Sequence, residues 1–351
     1  MIRRMTLLLL LLMTPGAQGV EIGPAKQADD PWAKYDVLTT SNAAKEDRFE
    51  KVVEKELGEY TPVFIGNSGL KHIWSVRHLT VEKQPRGAVV LQSGDTLVID
   101  IDTPEDRRYL RHAIHHEFYH LIEFNLAGDF YFRDPKWMVM NPPDFKYGEG
   151  GRFDQDSATD PGNIVHPLAG FVDQYATSGL EEDKAEIFAC LMVPEEAGEI
   201  EQWSRADRVL EAKVKYMRGF VEWWSKDTGP MRELFLAVVH DDEPAVEKLL
   251  AAEPALATRE AWGGWKPMHW AAAHASAGAL SALAKRVGAN DVDDQGWTAL
   301  HIAAVIGDET TCRQLLGLGA NVGARDKSGK TAGDYAKLMH HDAIAALLLK
   351  Y

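Results

Sequence analysis

His116-Glu117-Phe118-Tyr119-His120 sets two imidazoles and a carboxylate inside one short run. On a helix, side chains turn by about 100° per residue, so positions four apart differ by only about 40° and stack on one face. Two neutral imidazoles at that spacing can grip one ion, while Glu117, near their side, reaches a water rather than the metal. The chemistry would be hydrolytic: the cation acidifies the water and the carboxylate takes its proton. A polar helix face, with His112 and His115 adding to a histidine-rich surface, would produce the same five letters. Helical position argues otherwise. Tyr109, Ala113, His116, His120 and Glu123 share a stripe beside Leu110, Ile114, Leu121 and Phe124, which predicts that the motif is at least half buried. Buried ionisable groups need partners or a metal.

A zinc site of this kind wants a third protein ligand and an open fourth position. Glu181-Glu182-Asp183-Lys184-Ala185-Glu186 is the best supply. On the helix this run predicts, Glu182, Ala185, Glu186, Ala189 and Met192 fall together, so two carboxylates share an otherwise small, apolar face. Glu181, Asp183 and Lys184 fall on more polar sides. His166 is a rival ligand without a helical partner.

The elements that must position these groups follow from caps and periodicity. Residues 20–40 read as a poorly ordered arm, and a charged helix runs from Ser41 or Asn42 to Leu57. Residues 61–82 read as short β-prone runs broken by turns. Ala88–Leu91 and Thr96–Ile101 read as a hairpin. Thr103-Pro104-Glu105-Asp106 starts the motif helix, which stops at Gly128. Residues 129–170 read as long ordered loops, with Trp137 and residues 141–148 as an aromatic cleft wall or a satisfied structural loop. Ser178 and Glu181 form a capping box for a helix to Val193, and a further helix spans roughly 199–226.

Residues 116–120 with 175–189 resemble the gluzincin metallopeptidases, especially the lethal-factor-like and Pro-Pro endopeptidase branch. That branch follows its His-Glu-x-x-His helix with Tyr, six residues, then Glu-x-x-Ala-Glu; here Tyr175 precedes Glu182-Asp183-Lys184-Ala185-Glu186 at that spacing. The resemblance implies one Zn2+ per chain held by His116, His120 and Glu182. It implies Glu117 as general base and Tyr175 as the phenol that steadies the oxyanion. Glu186 would hold a ligand histidine from behind, with Glu123 a weaker candidate for the same task.

From Met231 onward the chain repeats. Gly264-Trp265-Lys266-Pro267-Met268-His269-Trp270-Ala271-Ala272 returns as Gly296-Trp297-Thr298-Ala299-Leu300-His301-Ile302-Ala303-Ala304, and again, degraded, from Gly329 to Ala336. The steps, 32 and 33 residues, and the signature resemble the ankyrin repeat, with about four repeats over 230–351 and divergent terminal ones. His269 and His301 then order turns, and His340-His341 is a solvated pair. The array implies a protein partner.

Targeting and charge set the remaining limits. Arg3 and Arg4, the apolar run Leu7–Met13 and Ala17-Gln18-Gly19 read as a signal peptide over 1–19, so export to a periplasmic or extracellular space is expected, without stable membrane insertion after cleavage. Cys190 and Cys312 read as buried free thiols. The formal charge is −15, which argues against gripping nucleic acid. It is uneven: residues 230–351 hold 15 acidic and 12 basic side chains, leaving 38 and 26 in residues 1–229. The expectation is multidomain: an α+β zincin-like catalytic domain over 41–229, then an all-α ankyrin solenoid over 230–351. The function expected is an exported zinc metallopeptidase acting on a protein or peptide. The alternatives are a catalytically silent peptidase-like adaptor and a zinc amidase with a non-peptide substrate.

Overall fold

The structure, a computed structural model, describes residues 19–26, 33–38, 43–102, 107–148, 150 and 164–351. Residues 1–18 of the expected leader and the expected cap at 103–106 lie outside them.

The front of the chain forms one mixed sheet with helices packed on it. Its order begins with β1 (Glu21–Pro24), and its second element in sequence is β2 (Ala33–Asp36). Helices α1 (Ala43–Leu57) and α2 (Pro62–Ser68) follow, then β3 (His72–Val81), β4 (Gln84–Pro85), β5 (Ala88–Val90) and β6 (Thr96–Asp100). The long β3 is the spine: β1 and β6 run parallel beside it, β2 and β4 pair antiparallel toward its far end, and β5 lies antiparallel on β6. Thr96-Leu97-Val98-Ile99-Asp100 is buried at every position, as a strand covered on both faces must be.

Two expectations are corrected here. Residues 20–40 are not a loose arm where described, since β1 and β2 join the sheet. Only Ala33 and Tyr35 alternate inward in β2, a period-2 signal too short to read in sequence. Residues 62–68 are helical rather than β-prone. Thr61 accepts from the Phe64 amide at 3.1 Å, Pro62 opens the helix and Gly69, at φ +80°, ends it.

The motif helix α3 (Arg107–Ala127) lies across the sheet and stops where Gly128, at φ +72°, donates to Phe124 O. A short α4 (Pro135–Met138) is capped by Asp134. A single 3-10 turn, Tyr175–Thr177, leads into α5 (Leu180–Met192), which packs against α3. The capping box is not formed: Gly179 is the N-cap, and the buried Ser178 hydroxyl has no partner. The single helix expected over 199–226 is two, α6 (Pro194–Ser204) and α7 (Arg208–Trp224). Asp207 caps the second by accepting from the Val209 and Leu210 amides, which restarts the helix there.

Four helix pairs follow: α8 (Gly229–Val239) with α9 (Glu243–Ala252), α10 (Pro267–Ala273) with α11 (Ala277–Val287), α12 (Ala299–Ile306) with α13 (Glu309–Gly317), and α14 (Ala332–Leu338) with α15 (Asp342–Leu348). Each pair stacks on the next through its first helix. One hydrophobic core runs from α1 through α5 into the last pair without a break.

Candidate metal centre

Helices α3 and α5 bring three donors to one point. His116 Nε2 lies 3.0 Å from His120 Nε2 and 3.0 Å from Glu182 Oε2, and His120 Nε2 lies 3.2 Å from that same oxygen. Four ligands set tetrahedrally at zinc–nitrogen distances would be about 3.3 Å from one another, so this triangle has the size of one face of such a site. The two imidazole nitrogens and the carboxylate oxygen form a compact, largely buried cluster of metal-ligating atoms. The donor set fits a divalent cation, and His116, His120 and Glu182 are grouped closely enough to hold one.

Behind the triangle stands a second line of buried charge. Glu186 Oε1 lies 2.8 Å from His116 Nδ1, the position that fixes which ring nitrogen faces the metal. Its other oxygen lies 2.9 Å from His112 Nε2, and His112 Nδ1 lies 2.7 Å from Glu196. Burial lowers the His112 pKa, but Glu186 and Glu196 outweigh it and push the ring up to about 10. His112 is therefore a cation between two carboxylates. His112 also lies close enough to His116 and Glu186, and to Cys190 and Glu196, to share a metal with either pair. Burial pushes the Cys190 thiol up as well, away from the thiolate a metal needs. His115 pairs with Tyr60 at 2.6 Å and Glu56 at 3.1 Å. Neither His112 nor His115 belongs to a histidine-rich surface.

The polar sides expected for Asp183 and Lys184 are corrected: both are fully buried. Asp183 accepts from Trp137 Nε1 at 2.8 Å, the Tyr147 hydroxyl at 2.5 Å and Lys213 Nζ at 2.6 Å. Lys184 pairs with Glu123 and donates to Phe132 O at 3.2 Å. Glu123 thus ties α3 to α5, accepting from Tyr119 at 3.2 Å and from Lys184 rather than holding a ligand histidine. Trp137 is wholly enclosed, so it forms a wedge and not a cleft wall. These partners come from α3, α4, α7 and the loops around α4, and no local spacing in α5 foretells them.

Glu117 is half-buried next to the triangle. Burial raises its carboxyl pKa, while His116 and His120 pull it down. The Tyr175 ring lies 5.9 Å from the His116 ring, and burial with the Glu182 and Glu117 charges holds its phenol far above the usual value. His166 sits elsewhere: Nδ1 is 2.9 Å from Phe171 O and its ring stacks on Trp203.

The comparison with known families decides the back of the chain. The family model for ankyrin repeats, in three copies, matches residues 234–326 and 275–351. Residues 234–351 are ankyrin repeats. A search of curated proteins finds no match to the chain. His269 and His301 order turns as expected: His269 Nε2 donates to Trp297 O, and His301 joins a capping box with Thr298 and reaches Lys330 O. The solvated pair expected at His340-His341 is corrected: His340 is exposed, but His341 is half-buried with Nε2 3.1 Å from Val305 O. Both cysteines are buried and free.

Proposed function

We propose that this protein is a zinc-dependent metallopeptidase of gluzincin type whose catalytic unit spans residues 41–229, joined to an ankyrin array. The observation that supports the reading best is the convergence of His116, His120 and Glu182, with Glu186 behind His116. Bound there, zinc would supply a Lewis acid that acidifies a water and polarises a carbonyl.

The chain's own residues supply the rest. Glu117 accepts the water proton and passes it to the leaving amine; a carboxyl raised by burial sits nearer the pKa that such two-way transfer favours. Tyr175, kept protonated by its surroundings, donates a hydrogen bond to the oxygen that becomes negative. Glu186 holds His116 in the tautomer that presents Nε2. The leader read over 1–19 would carry this activity out of the cytoplasm; no helix among the described residues is long and apolar enough to cross a membrane.

The test is cleavage of a peptide library read by mass spectrometry, wild type against Glu117→Ala, with zinc measured in both. The expected result is about one zinc per chain in each and products from the wild type alone. Zinc without cleavage in the wild type would make the chain a silent adaptor, and equal cleavage by the variant would remove Glu117 as the base.

A further inference from the structure

The front domain lies against the first helices of two of the array's helix pairs and against one of the turns between pairs. Helix α3 packs on α8, α4 on α12, and α7 on the turn Trp262–Gly264. Period arithmetic exposes one contact in particular. Asp326 and Asp293 occupy the same place in successive repeats, 33 residues apart. Asp326 spends its carboxylate inside the array, accepting from Ser328 and Lys330 amides, from Tyr335 OH at 2.6 Å and from Trp297 Nε1 at 3.2 Å. Asp293 keeps the turn with one oxygen, accepting from Gln295 and Trp297 amides. Its other oxygen leaves the array and meets Lys136 Nζ of α4 at 2.5 Å, with both side chains at least nine-tenths buried.

Lys136 is received by a built pocket. Its ammonium also donates to Gly263 O at 2.5 Å and lies 5.0 Å from the Trp265 ring centre. Gly263, at φ +57°, lies so close to Tyr216 that a Cβ there would come within 2.4 Å of its ring. Two residues upstream of Asp134-Pro135-Lys136-Trp137 in the same grip, Phe132 lies parallel to His274 at 4.7 Å and packs on Trp270 at 5.1 Å. The array therefore holds the segment 132–137 at both ends.

That same segment holds the two residues after Glu182. Trp137 donates to Asp183, and Phe132 O accepts from Lys184, which also pairs with Glu123 one turn past His120. We infer that the array's first partner is its own chain: it clamps residues 132–137 and, through Asp183 and Lys184, sets Glu182 in register with His116 and His120. Lys136 and Asp293 are positioning residues, and the inference rests on reading those three ligands as the zinc site.

The test uses the full chain. Asp293→Asn removes the charge that holds Lys136, and zinc affinity is read by competition with a chelator, with the visible bands of the cobalt-substituted protein as a second readout. About a tenfold weakening of zinc binding, with altered cobalt bands and unchanged circular dichroism, is expected. Asp326→Asn is the internal control: it disturbs the array at the equivalent position but leaves zinc affinity within twofold and the cobalt bands in place. Should Asp293→Asn misfold, the double variant Lys136→Met/Asp293→Asn removes the pair without stranding either charge and is expected to give the same weakening. Wild-type affinity and bands in the folded variant would overturn the inference while the zinc site stands. Equal weakening by Asp326→Asn would also overturn it, as a general effect of array stability. A wild-type chain that takes up no zinc fails earlier, at the site itself.

Discussion

Buried histidines occur at both ends of this molecule, and they keep different company. In the front domain, His112, His116 and His120 face carboxylates: Glu186 and Glu196 for the first, Glu186 and Glu182 for the second, Glu182 for the third. In the array, His269 and His301 face backbone carbonyls, and His274 lies between the rings of Phe132 and Trp270. Carboxylates pull protons or metal toward a ring, whereas carbonyls and aromatic faces ask only for a neutral donor. The array makes the point within itself, because Asp334 replaces the histidine in the last repeat and forms the same capping box with Thr331. A role that aspartate can fill is a turn's role.

The strongest way to break this contrast is to remove histidines from each side. His116→Ala/His120→Ala is expected to abolish zinc binding, read by elemental analysis of the folded protein. His301→Ala is expected to keep about one zinc and lose roughly 1–3 kcal/mol of stability, because Lys330 O and the Thr298 cap lose a partner. Full zinc retention in the double variant would end the distinction.

The tyrosines sharpen it at smaller scale. Tyr335 OH donates to Asp326 within the array, while Tyr175 faces the metal triangle. Tyr175→Phe is expected to slow peptide hydrolysis about 10²- to 10³-fold with little change in melting temperature. Tyr335→Phe is expected to do the reverse, costing roughly 1 kcal/mol with the rate unchanged. Both readings come from one pair of rate and melting measurements, and a rate loss in Tyr335→Phe would show that the two regions do not separate.

The same contrast marks what was legible in the sequence. The spacing of His116, Glu117 and His120, and the placing of Glu182 and Glu186 on one face, are local facts of a helix, and α3 and α5 convert them directly into a converging triangle. The repeat period located the array and the turn duties of His269 and His301. Tertiary pairing was not legible. Asp183 and Lys184 read as lying on polar sides of α5 because charged residues are rarely buried unless paired, and their partners lie far along the chain at Trp137, Lys213 and Glu123. Some misses had local signals that were outvoted: Thr61-Pro62 and Asp207 are both helix starts, and each outranks the β-prone or continuous pattern around it. The strands of residues 21–24 and 33–36 depend on the length of β3, a neighbour's property.

The smallest expected effect separates the regions by pH. Burial lowers His269 to about 4, helped by the Lys136 charge, and His274 to about 3. Unfolding lets both return to an ordinary value near 6.5, so the unfolded chain binds more protons below that pH. Their stability contribution is therefore whole above pH 6.5 and is lost as the pH falls toward 4. His112, raised to about 10 by Glu186 and Glu196 against the effect of burial, has the opposite sign, contributing below pH 6.5 and losing it as the pH climbs to 10. Between pH 6.5 and 5 each array group gives up about 1.5 kcal/mol. His274 is the clean probe, since its buried Nε2 has no hydrogen-bond partner and a phenyl ring can fill the same slot between Phe132 and Trp270. In denaturant titrations at pH 6.5 and 5, His274→Phe should lose less stability than the wild type by about that amount. An identical loss in both proteins would mean that the ring titrates normally in the fold, and the neutral company assigned to the array's histidines would be wrong at this position.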